Sequence, residues 1–320
     1  MPPEDAQGQL ENLIARGDAF AGVGDDRAAT SFYAAALRLA RSLPSLPPSL
    51  HAPLRTAQAR CRDYAARYER FLADHLAAAG ASPAEGSRFA HALDLLSGRR
   101  QIYPQQPNVL YFPELPARQF YDRADFAWCE GLEAETDAIR EEARAALARS
   151  DAFEPYLRAA SDRPHDEHHA MAGNADWGAF YLWWDGTLIE ENAALCPRTV
   201  AALTQVPLTK VPGRLPTVLF SLLKAGARIP PHTGFVNTRL ICHLPLVVPE
   251  GCGLRVGNET RAWREGEVTI FDDTIEHEAW NHSGSDRLVL LFDVWQPALS
   301  AQERHQVSTL LSAIDAYGRP

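Results

Sequence analysis

The chain has 320 residues, 46% of them hydrophobic, so it is long enough for two domains and at least one sizeable core. Its 41 acidic and 31 basic residues give a formal net charge of -10, which argues against a nucleic-acid-binding protein because such surfaces need clustered Lys and Arg. No apolar run reaches the ~20 residues of a membrane helix, and the start MPPEDAQGQLENL is acidic, unlike a signal peptide. We therefore expect a cytoplasmic protein without a membrane span.

Helices are predicted for residues 1–98. Ala, Leu and Arg dominate from Gln9 to Gly98, and apolar residues recur at three- and four-residue spacing. Small and aromatic residues also stand where a tetratricopeptide repeat places its packing residues. They are Gly17, Phe20, Gly24, Ala29, Tyr33 and Ala36. A second copy from Leu54 to Leu96 is irregular, so a generic helical bundle is an equal alternative, and either would serve as a scaffold or docking surface.

A linker is predicted at 99–118, where four prolines prevent a helix. An acidic helix is predicted at Glu130–Leu147, followed by a polar loop at 160–175. The polar setting of this loop favours a solvated loop or a substrate lid over a metal site. Its histidines are His165, His168 and His169.

Beyond Trp177 the sequence predicts strands, because short runs of β-branched and aromatic residues alternate with Gly, Pro and Asn turns. The runs are FYLWW, TVLFSLL, TRLICHLPLVV, GLRV, EVTIFDD, EHEAW and RLVLLFDVW. Seven or eight short strands at this spacing indicate an antiparallel sandwich or barrel. A final helix, Ser300–Tyr317, opens with the Ser300–Glu303 spacing of a capping box.

The cysteines are predicted to be buried free thiols. Their number is odd and no CxxC spacing occurs, so neither a disulfide framework nor a zinc site is indicated. They are Cys61, Cys129, Cys196, Cys242 and Cys252.

Two histidines and one arginine form the candidate catalytic group. His232 in PPHTG and His277 in FDDTIEHEAW each lie beside a turn at a predicted strand end, and Arg287 opens the strand RLVLLFDVW ten residues after His277. Such a pattern is typical of non-haem iron(II) oxygenases, in which imidazoles hold the metal and a planar guanidinium pairs with a carboxylate of 2-oxoglutarate. Either histidine taken alone is more often a hydrogen-bonded structural residue.

Longer motifs carry a more specific signal. From about Tyr111 to Leu299 the chain resembles the aspartyl/asparaginyl β-hydroxylase family of iron(II)- and 2-oxoglutarate-dependent oxygenases. The motifs are YFPELPAR, GARIPPHTGFVNTRLICHLPLVVPEGCGLRVGNETRAWREGEVTIFDDTIEHEAWNHS and RLVLLFDVWQP. The resemblance implies an α+β protein, in which a tetratricopeptide-like helical region precedes a double-stranded β-helix (jelly-roll, cupin-like) oxygenase domain at 119–320. It also implies Fe(II) as cofactor, with 2-oxoglutarate and O2 as cosubstrates.

The same resemblance implies the roles of the site residues. His232 and His277 would bind iron, and both are catalytic with Arg287. Arg287 and Ser221 would hold the C5 carboxylate of 2-oxoglutarate, and His243 would lie near its C1 carboxylate. Among the tryptophans, Trp263, Trp280 and Trp295 are expected in the core, whereas the segment with Trp177, Tyr181 and Trp183 is a candidate roof for the cavity.

Departures from the usual pattern qualify these roles. Gly234 stands where most iron oxygenases of this class have a carboxylate ligand. The family has the same glycine, although the vacancy keeps halogenation as a minor alternative. Asp272 and Asp273 are expected to serve a turn rather than to replace that ligand.

A further departure is Ile241, which stands where the family often has an arginine for the C1 carboxylate. Alternation puts Arg239, Ile241 and His243 on one face of their strand, so Arg239 is the candidate replacement in cosubstrate binding, although ~6–7 Å further along. We therefore expect cosubstrate binding that is weaker than is typical of the family or that uses different contacts. Cys196 stands alone where some members have a disulfide.

The family name implies hydroxylation of an sp3 carbon, the β-carbon of Asp or Asn, in a peptide or protein. The helical N-terminal region favours such a partner because helical repeat surfaces bind extended chains. Hydroxylation of a small molecule or a lipid acyl chain is the alternative, and a non-catalytic binding module is a third.

Overall fold

The computed structural model describes residues 3–149, 153–156 and 173–317. It divides into two compact units, Met1–Gln101 and Ile102–Pro320. The three histidines of the predicted polar loop lie outside the described residues. Among the described helices, none combines the length and the apolar composition that crossing a membrane requires.

The first unit is helical. Its helices are α1 (Pro3–Gly22), α2 (Asp26–Ser42), α3 (Pro48–Ala78) and α4 (Arg88–Leu96). Helices α1 and α2 pack closely where Gly17 meets the ring of Tyr33, because a Cβ at Gly17 would lie 2.5 Å from two ring carbons. Ala29 and Ala36 are fully buried on the same side of α2 as Tyr33. Of the predicted positions, Phe20, Ala29 and Tyr33 therefore pack in one cluster, while the assignment to a tetratricopeptide repeat stays a prediction.

The segment predicted as a linker belongs to the second unit from residue 102 onward. The Gln106 N–H donates to the carbonyl of Thr274 at 2.7 Å. The side chain of Asn237 accepts from the Phe112 N–H at 2.7 Å and donates to the carbonyl of Phe112 at 2.9 Å. The prolines do prevent a helix, as predicted, but these backbone groups pair with the sheet region rather than with solvent.

The strands of the second unit are short. They are β1 (Phe120–Tyr121), β2 (Glu154–Pro155), β3 (Trp177–Trp184), β4 (Thr187–Leu188), β5 (Val218–Leu223), β6 (Arg228–His232), β7 (Arg239–Val247), β8 (Cys252–Val256), β9 (Glu259–Arg261), β10 (Thr269–Phe271), β11 (His277–Asn281) and β12 (Arg287–Trp295). The larger antiparallel sheet has the order β1-β10-β7-β12-β5-β3-β2, with β4 beside β3, and the smaller sheet has the order β6-β11-β8-β9.

The strand order is that of a double-stranded β-helix, so the predicted fold is confirmed. From β5 to β12 the chain passes back and forth between the sheets, which places β5-β12-β7-β10 opposite β6-β11-β8-β9. This interleaving defines a jelly roll. With its helices, the protein is of the α+β class.

Each of the seven predicted strand runs contains a strand, and sequence reasoning missed the short strands β1, β2, β4 and β9 as well as the longer β6. Pro230 and Pro231 concealed β6, because a proline has no N–H for a sheet ladder and is confined to edge strands. In the structure β6 is such an edge, since β11 is its one partner among the described strands.

The second unit also contains helices, several of which pack against the larger sheet. They are α5 (Cys129–Glu133), α6 (Thr136–Leu147), α7 (Glu190–Leu195), α8 (Pro197–Leu203) and α9 (Ala301–Ala316). The single helix predicted at Glu130–Leu147 is wrong, because it is interrupted between α5 and α6. At the break Thr136 Oγ1 donates to the Glu133 carbonyl at 2.6 Å, and the Glu133 carboxylate accepts from the Val268 N–H at 2.8 Å. The predicted capping box of Ser300 and Glu303 is present at the start of α9.

Two apolar clusters lie on opposite faces of the larger sheet. Alternation along β5 sends Phe220 into the cluster beneath the helices and Leu219 into the cluster between the sheets. The second cluster also contains Ile241 and Phe271 and surrounds the cavity described below. The cavity is therefore built from the inward-facing positions of the strands.

Gly17→Ala should lower the free energy of unfolding of the full chain by about 1–3 kcal/mol, because the added methyl meets the Tyr33 ring at 2.5 Å. Gly8→Ala on the same helix is the matched control, since nothing lies within 4 Å of its added methyl. That variant should gain about 0.5–1 kcal/mol from helix propensity. Urea unfolding followed by circular dichroism measures both, and equal stabilities would contradict the α1–α2 packing.

Candidate active site

His232 and His277 face each other across two paired strands. His232 is the last residue of β6 and His277 is the first residue of β11. The antiparallel register pairs them directly, and their ring centroids are 4.1 Å apart. Cross-strand pairs of this kind place side chains on the same face of a sheet. The two imidazoles that the sequence singled out therefore meet at one point.

Both rings are oriented by the same backbone contact. Nδ1 of His232 lies 2.8 Å from the Pro230 carbonyl, and Nδ1 of His277 lies 3.1 Å from the Ile275 carbonyl. Because a carbonyl only accepts, each Nδ1 is the protonated nitrogen and each Nε2 carries the lone pair. Metal-binding histidines are commonly fixed in this way.

The electrostatic setting keeps His277 neutral. Burial, followed by the neighbouring His232, holds the pKa of His277 well below its ordinary value. A neutral imidazole is the form that binds a metal ion. The pair thus presents the chemistry of a two-histidine metal site.

The histidines open into a cavity of about 290 Å3 between the two sheets. Much of its wall is apolar, which excludes water and strengthens electrostatic interactions inside. The apolar lining includes Trp177, Ile229, Phe235, Ile241, Leu254 and Phe271. Every predicted site residue also lines this cavity: Ser221, His232, Arg239, His243, His277 and Arg287.

Arg287 is a buried cation without a counter-ion. It is 1% exposed, and none of the described acidic residues forms an ion pair with it. Its Nη2 donates to Ser221 Oγ at 3.3 Å, and its guanidinium lies 4.8 Å from the centroid of the Trp263 ring. Burial lowers the pKa of Arg287 to about 10. Since an unpaired buried charge is costly, this end of the cavity suits an anionic ligand.

Two further side chains support that end of the cavity. Trp177 Nε1 donates to Ser221 Oγ at 3.1 Å, which holds the hydroxyl beside Arg287. His243 is buried with its Nδ1 lacking a protein partner, and its ring centroid lies 5.2 Å from that of Phe271. Burial, followed by the charge of Arg287, lowers the pKa of His243 to about 3. His243 is therefore a neutral hydrogen-bonding group.

A second buried arginine is paired. Arg239 Nη2 donates to Asp273 Oδ2 at 3.0 Å, and Arg239 Nε lies 3.7 Å from Asp293 Oδ2. The guanidinium also covers the ring of Phe235 at 4.3 Å. Burial raises the pKa of Asp293 to about 7, and Arg239 opposes that rise. Arg239 lines the cavity, as alternation predicts. Its guanidinium is paired with Asp273 and Asp293, whereas the sequence predicted that it would bind a carboxylate of the cosubstrate.

The carboxylate of Asp273 occupies the space beside Gly234. A Cβ at Gly234 would lie 2.1 Å from Asp273 Oδ2, so no larger residue fits without moving that carboxylate. Asp272 serves the turn, because its Oδ1 accepts from the N–H and hydroxyl of Thr274 at 3.0 and 2.6 Å. Within the described ranges, no three His, Cys, Asp or Glu side chains are placed to hold a metal ion together.

Sequence reasoning missed the partners of the two arginines. Trp263 was expected in the core and is buried, but it also covers the Arg287 guanidinium. Trp177 was one of three candidates for the roof and is the one that bonds Ser221. Asp293 was not singled out. The available signal was a single carboxylate among the apolar residues that follow Arg287 in the run RLVLLFDVW.

Comparison with known proteins identifies a family. A sequence model described as aspartyl/asparaginyl beta-hydroxylase matches residues 133–297, which is more than half of the chain. Human aspartyl/asparaginyl beta-hydroxylase is 40% identical over 148 residues, or 46% of this chain and 19% of the relative. An ornithine lipid ester-linked acyl 2-hydroxylase from Rhizobium tropici is 35% identical over 194 residues, or 60% of this chain and 65% of the relative. The chain spans about a fifth of the human and mouse hydroxylases that it matches.

Solved structures with related topology are distant. A protein described as a predicted oxalate decarboxylase from Thermotoga maritima has a TM-score of 0.25 and 13% identity, covering 37% of this chain and 80% of that one. The plu4264 protein of Photorhabdus luminescens has a TM-score of 0.27 and 11% identity, covering 48% and 99%. Both scores are low, so the fold assignment rests on the strand order given above.

Replacing each of the two buried arginines with methionine should change the free energy of unfolding of the ligand-free protein in opposite directions. Arg287→Met removes a charge without a counter-ion and should raise the free energy of unfolding by about 1 kcal/mol or more. Arg239→Met leaves Asp273 and Asp293 without their cation and should lower it by about 3–5 kcal/mol. Urea unfolding of both variants measures the difference. Equal losses in both would show that Arg287 is also paired.

The pH dependence of the free energy of unfolding should show the raised pKa of Asp293. With its pKa raised from 3.8 to about 7, the folded protein holds a proton between these pH values that the unfolded chain has released. Rising pH therefore favours unfolding, with a slope of up to about 1.4 kcal/mol per pH unit. Subtracting the curve of Asp293→Asn isolates this contribution from those of the buried histidines. Parallel curves for the two proteins between about pH 4 and 7 would refute the raised pKa.

Proposed function

Because the chain belongs to the aspartyl/asparaginyl β-hydroxylase family, we propose that it is an iron(II)- and 2-oxoglutarate-dependent dioxygenase that hydroxylates an sp3 carbon. One observation carries the proposal. One cavity joins the paired histidines His232 and His277 to Arg287, a buried arginine that has no counter-ion among the described residues. The first feature suits a divalent metal and the second suits a carboxylate.

The histidine pair fits iron(II). Imidazole nitrogen is a common ligand of non-haem iron, and both Nδ1 atoms are already committed to backbone carbonyls. His232 and His277 would hold the metal through Nε2. Two protein ligands leave the remaining positions open for cosubstrate and oxygen. Gly234 supplies no side-chain ligand, and the Asp273 carboxylate fills the space that a side chain at this position would need.

The other end of the cavity fits a dicarboxylate. Arg287 and Ser221 would bind the distal carboxylate of 2-oxoglutarate, with Trp177 fixing the hydroxyl of Ser221. His243 would contribute a neutral hydrogen bond near the other carboxylate. Ile241 supplies no positive charge near that second carboxylate, and Arg239 is paired with Asp273. We therefore expect 2-oxoglutarate to bind more weakly than it would if a second unpaired arginine stood beside Arg287 in the cavity.

Iron with 2-oxoglutarate and O2 supplies the oxidising power that converts a C–H bond into C–OH. The protein's part is to position the substrate carbon and exclude water. The apolar walls contributed by Ile229, Leu254 and Phe271 exclude water. Those walls belong to both sheets, so the site is formed when the sheets pack together.

The substrate we propose is an aspartyl or asparaginyl residue of a peptide or protein, which the name of the human relative supports. A lipid acyl chain is the second candidate, supported by the name of the Rhizobium tropici relative and by the apolar lining. We place the reaction in the reducing cytoplasm, which the five free cysteine thiols support.

Anaerobic addition of iron(II) and 2-oxoglutarate to the metal-free protein should produce a weak metal-to-ligand charge-transfer band in the visible. His232→Ala should remove the band because it removes one of two protein ligands. In Arg287→Met, half of the full band intensity should require a 2-oxoglutarate concentration at least about tenfold higher than in the wild type, since a charge-assisted hydrogen bond contributes about 1.5–3 kcal/mol.

Asp137→Asn serves as the control, because Asp137 is 94% exposed on α6 and lies outside the cavity. It should retain the band at the wild-type concentration of 2-oxoglutarate. Absence of any band in wild-type protein at saturating iron(II) and 2-oxoglutarate would overturn the proposed function.

A further inference from the structure

Three charged side chains line the end of the cavity away from Arg287, and the proposed reaction leaves them without a role. They are Arg239, Asp273 and Asp293. Arg287 and Asp293 stand six residues apart on β12, which is about 20 Å along an extended strand. The cosubstrate end and this end of the cavity are therefore separate.

The charges at this end do not suit an acid. One guanidinium lies between two carboxylates, at 3.0 Å from Asp273 and 3.7 Å from Asp293, so the formal sum is -1 when all three are ionised. All three side chains are buried, where water screens charge weakly. A substrate carboxylate would meet two like charges and a cation that is already paired.

Several polar atoms of these residues lack protein partners. Asp273 Oδ1 and both carboxylate oxygens of Asp293 are buried without a hydrogen-bond donor, and Arg239 Nε is buried without an acceptor. Unsatisfied buried atoms are uncommon, so a set of them lining one cavity indicates hydrogen bonds that a bound molecule completes. That molecule must both donate and accept.

We propose that this end of the cavity selects a substrate bearing an uncharged primary amide and rejects the isosteric carboxylate. The amide NH2 would donate to Asp273 Oδ1 and to Asp293, while the amide oxygen would accept from Arg239 Nε. The inference rests on the proposed function for the reaction and narrows its substrate from aspartyl or asparaginyl to asparaginyl. A cationic group only donates hydrogen bonds, so it would leave Arg239 Nε without an acceptor.

Paired probes that differ only in this group test the proposal. N-acetyl-asparagine N-methylamide and N-acetyl-aspartate N-methylamide are titrated at about pH 8, where the probe acid is ionised. Ligand-observed NMR reports binding to the full chain, first without metal and then with 2-oxoglutarate and zinc(II), which is redox-inert. The wild-type protein should bind the amide at least about tenfold more tightly than the acid.

Two single substitutions should each weaken the preference for the amide. Asp293→Asn removes one of the repelling charges and should reduce the preference about tenfold. Ile241→Arg adds a cation on the strand face that carries Arg239 and should strengthen binding of the acid probe in the titration without 2-oxoglutarate, whose carboxylate would otherwise bind that cation. Asp137→Asn, which removes a fully surface carboxylate, should leave the preference unchanged. Circular dichroism verifies that each variant is folded.

The outcomes separate this proposal from the proposed function. Equal binding of the two probes to wild-type protein, binding of neither probe, or a preference insensitive to both Asp293→Asn and Ile241→Arg would overturn amide selection. The iron(II) charge-transfer band is measured in parallel. Amide preference in a protein that gives no such band would support the selective cavity and overturn the oxygenase function.

Discussion

The register between β6 and β11 is the constraint on which the site depends. It sets His232 directly opposite His277, and the carbonyls of Pro230 and Ile275 in the same strands and turns fix both imidazole rings. A shift of one residue would send one imidazole to the other face of its sheet. The jelly roll therefore brings the two histidines together through backbone pairing alone, and the side chains around them determine what else the cavity accepts.

Charge divides the cavity into two functional ends. Arg287 is buried beside the hydroxyl of Ser221 and the indole of Trp263, neither of which is charged. Its positive charge is therefore available to a ligand. Arg239 is buried between the carboxylates of Asp273 and Asp293, which neutralise its charge. Both are inward-facing arginines on neighbouring strands, yet their chemistry is opposite because their neighbours differ. The charge that a ligand would meet at each end of the cavity therefore depends on the neighbours of the two cations rather than on their number.

The sequence predicted the elements that depend on local pattern. Alternation placed Arg239, Ile241 and His243 on one face, and strand-like texture located β12 with Arg287 at its start. It did not predict contacts between residues far apart in the chain. The pairing of Arg239 with Asp273 and Asp293 joins three different segments, and the packing of residues 102–118 on the second unit depends on Asn237 and Thr274. Proximity of this kind arises only once the sheets close.

The edge position of β6 has a consequence for how the protein behaves in solution. An exposed strand edge is a template on which another chain can add a strand, which leads to aggregation or domain swapping. Pro230 and Pro231 have no N–H, and because successive residues of a strand direct their N–H groups to opposite edges, one of the two prolines removes a donor that such an addition would use. The prolines that concealed this strand in the sequence thus make its free edge a poorer template for another chain.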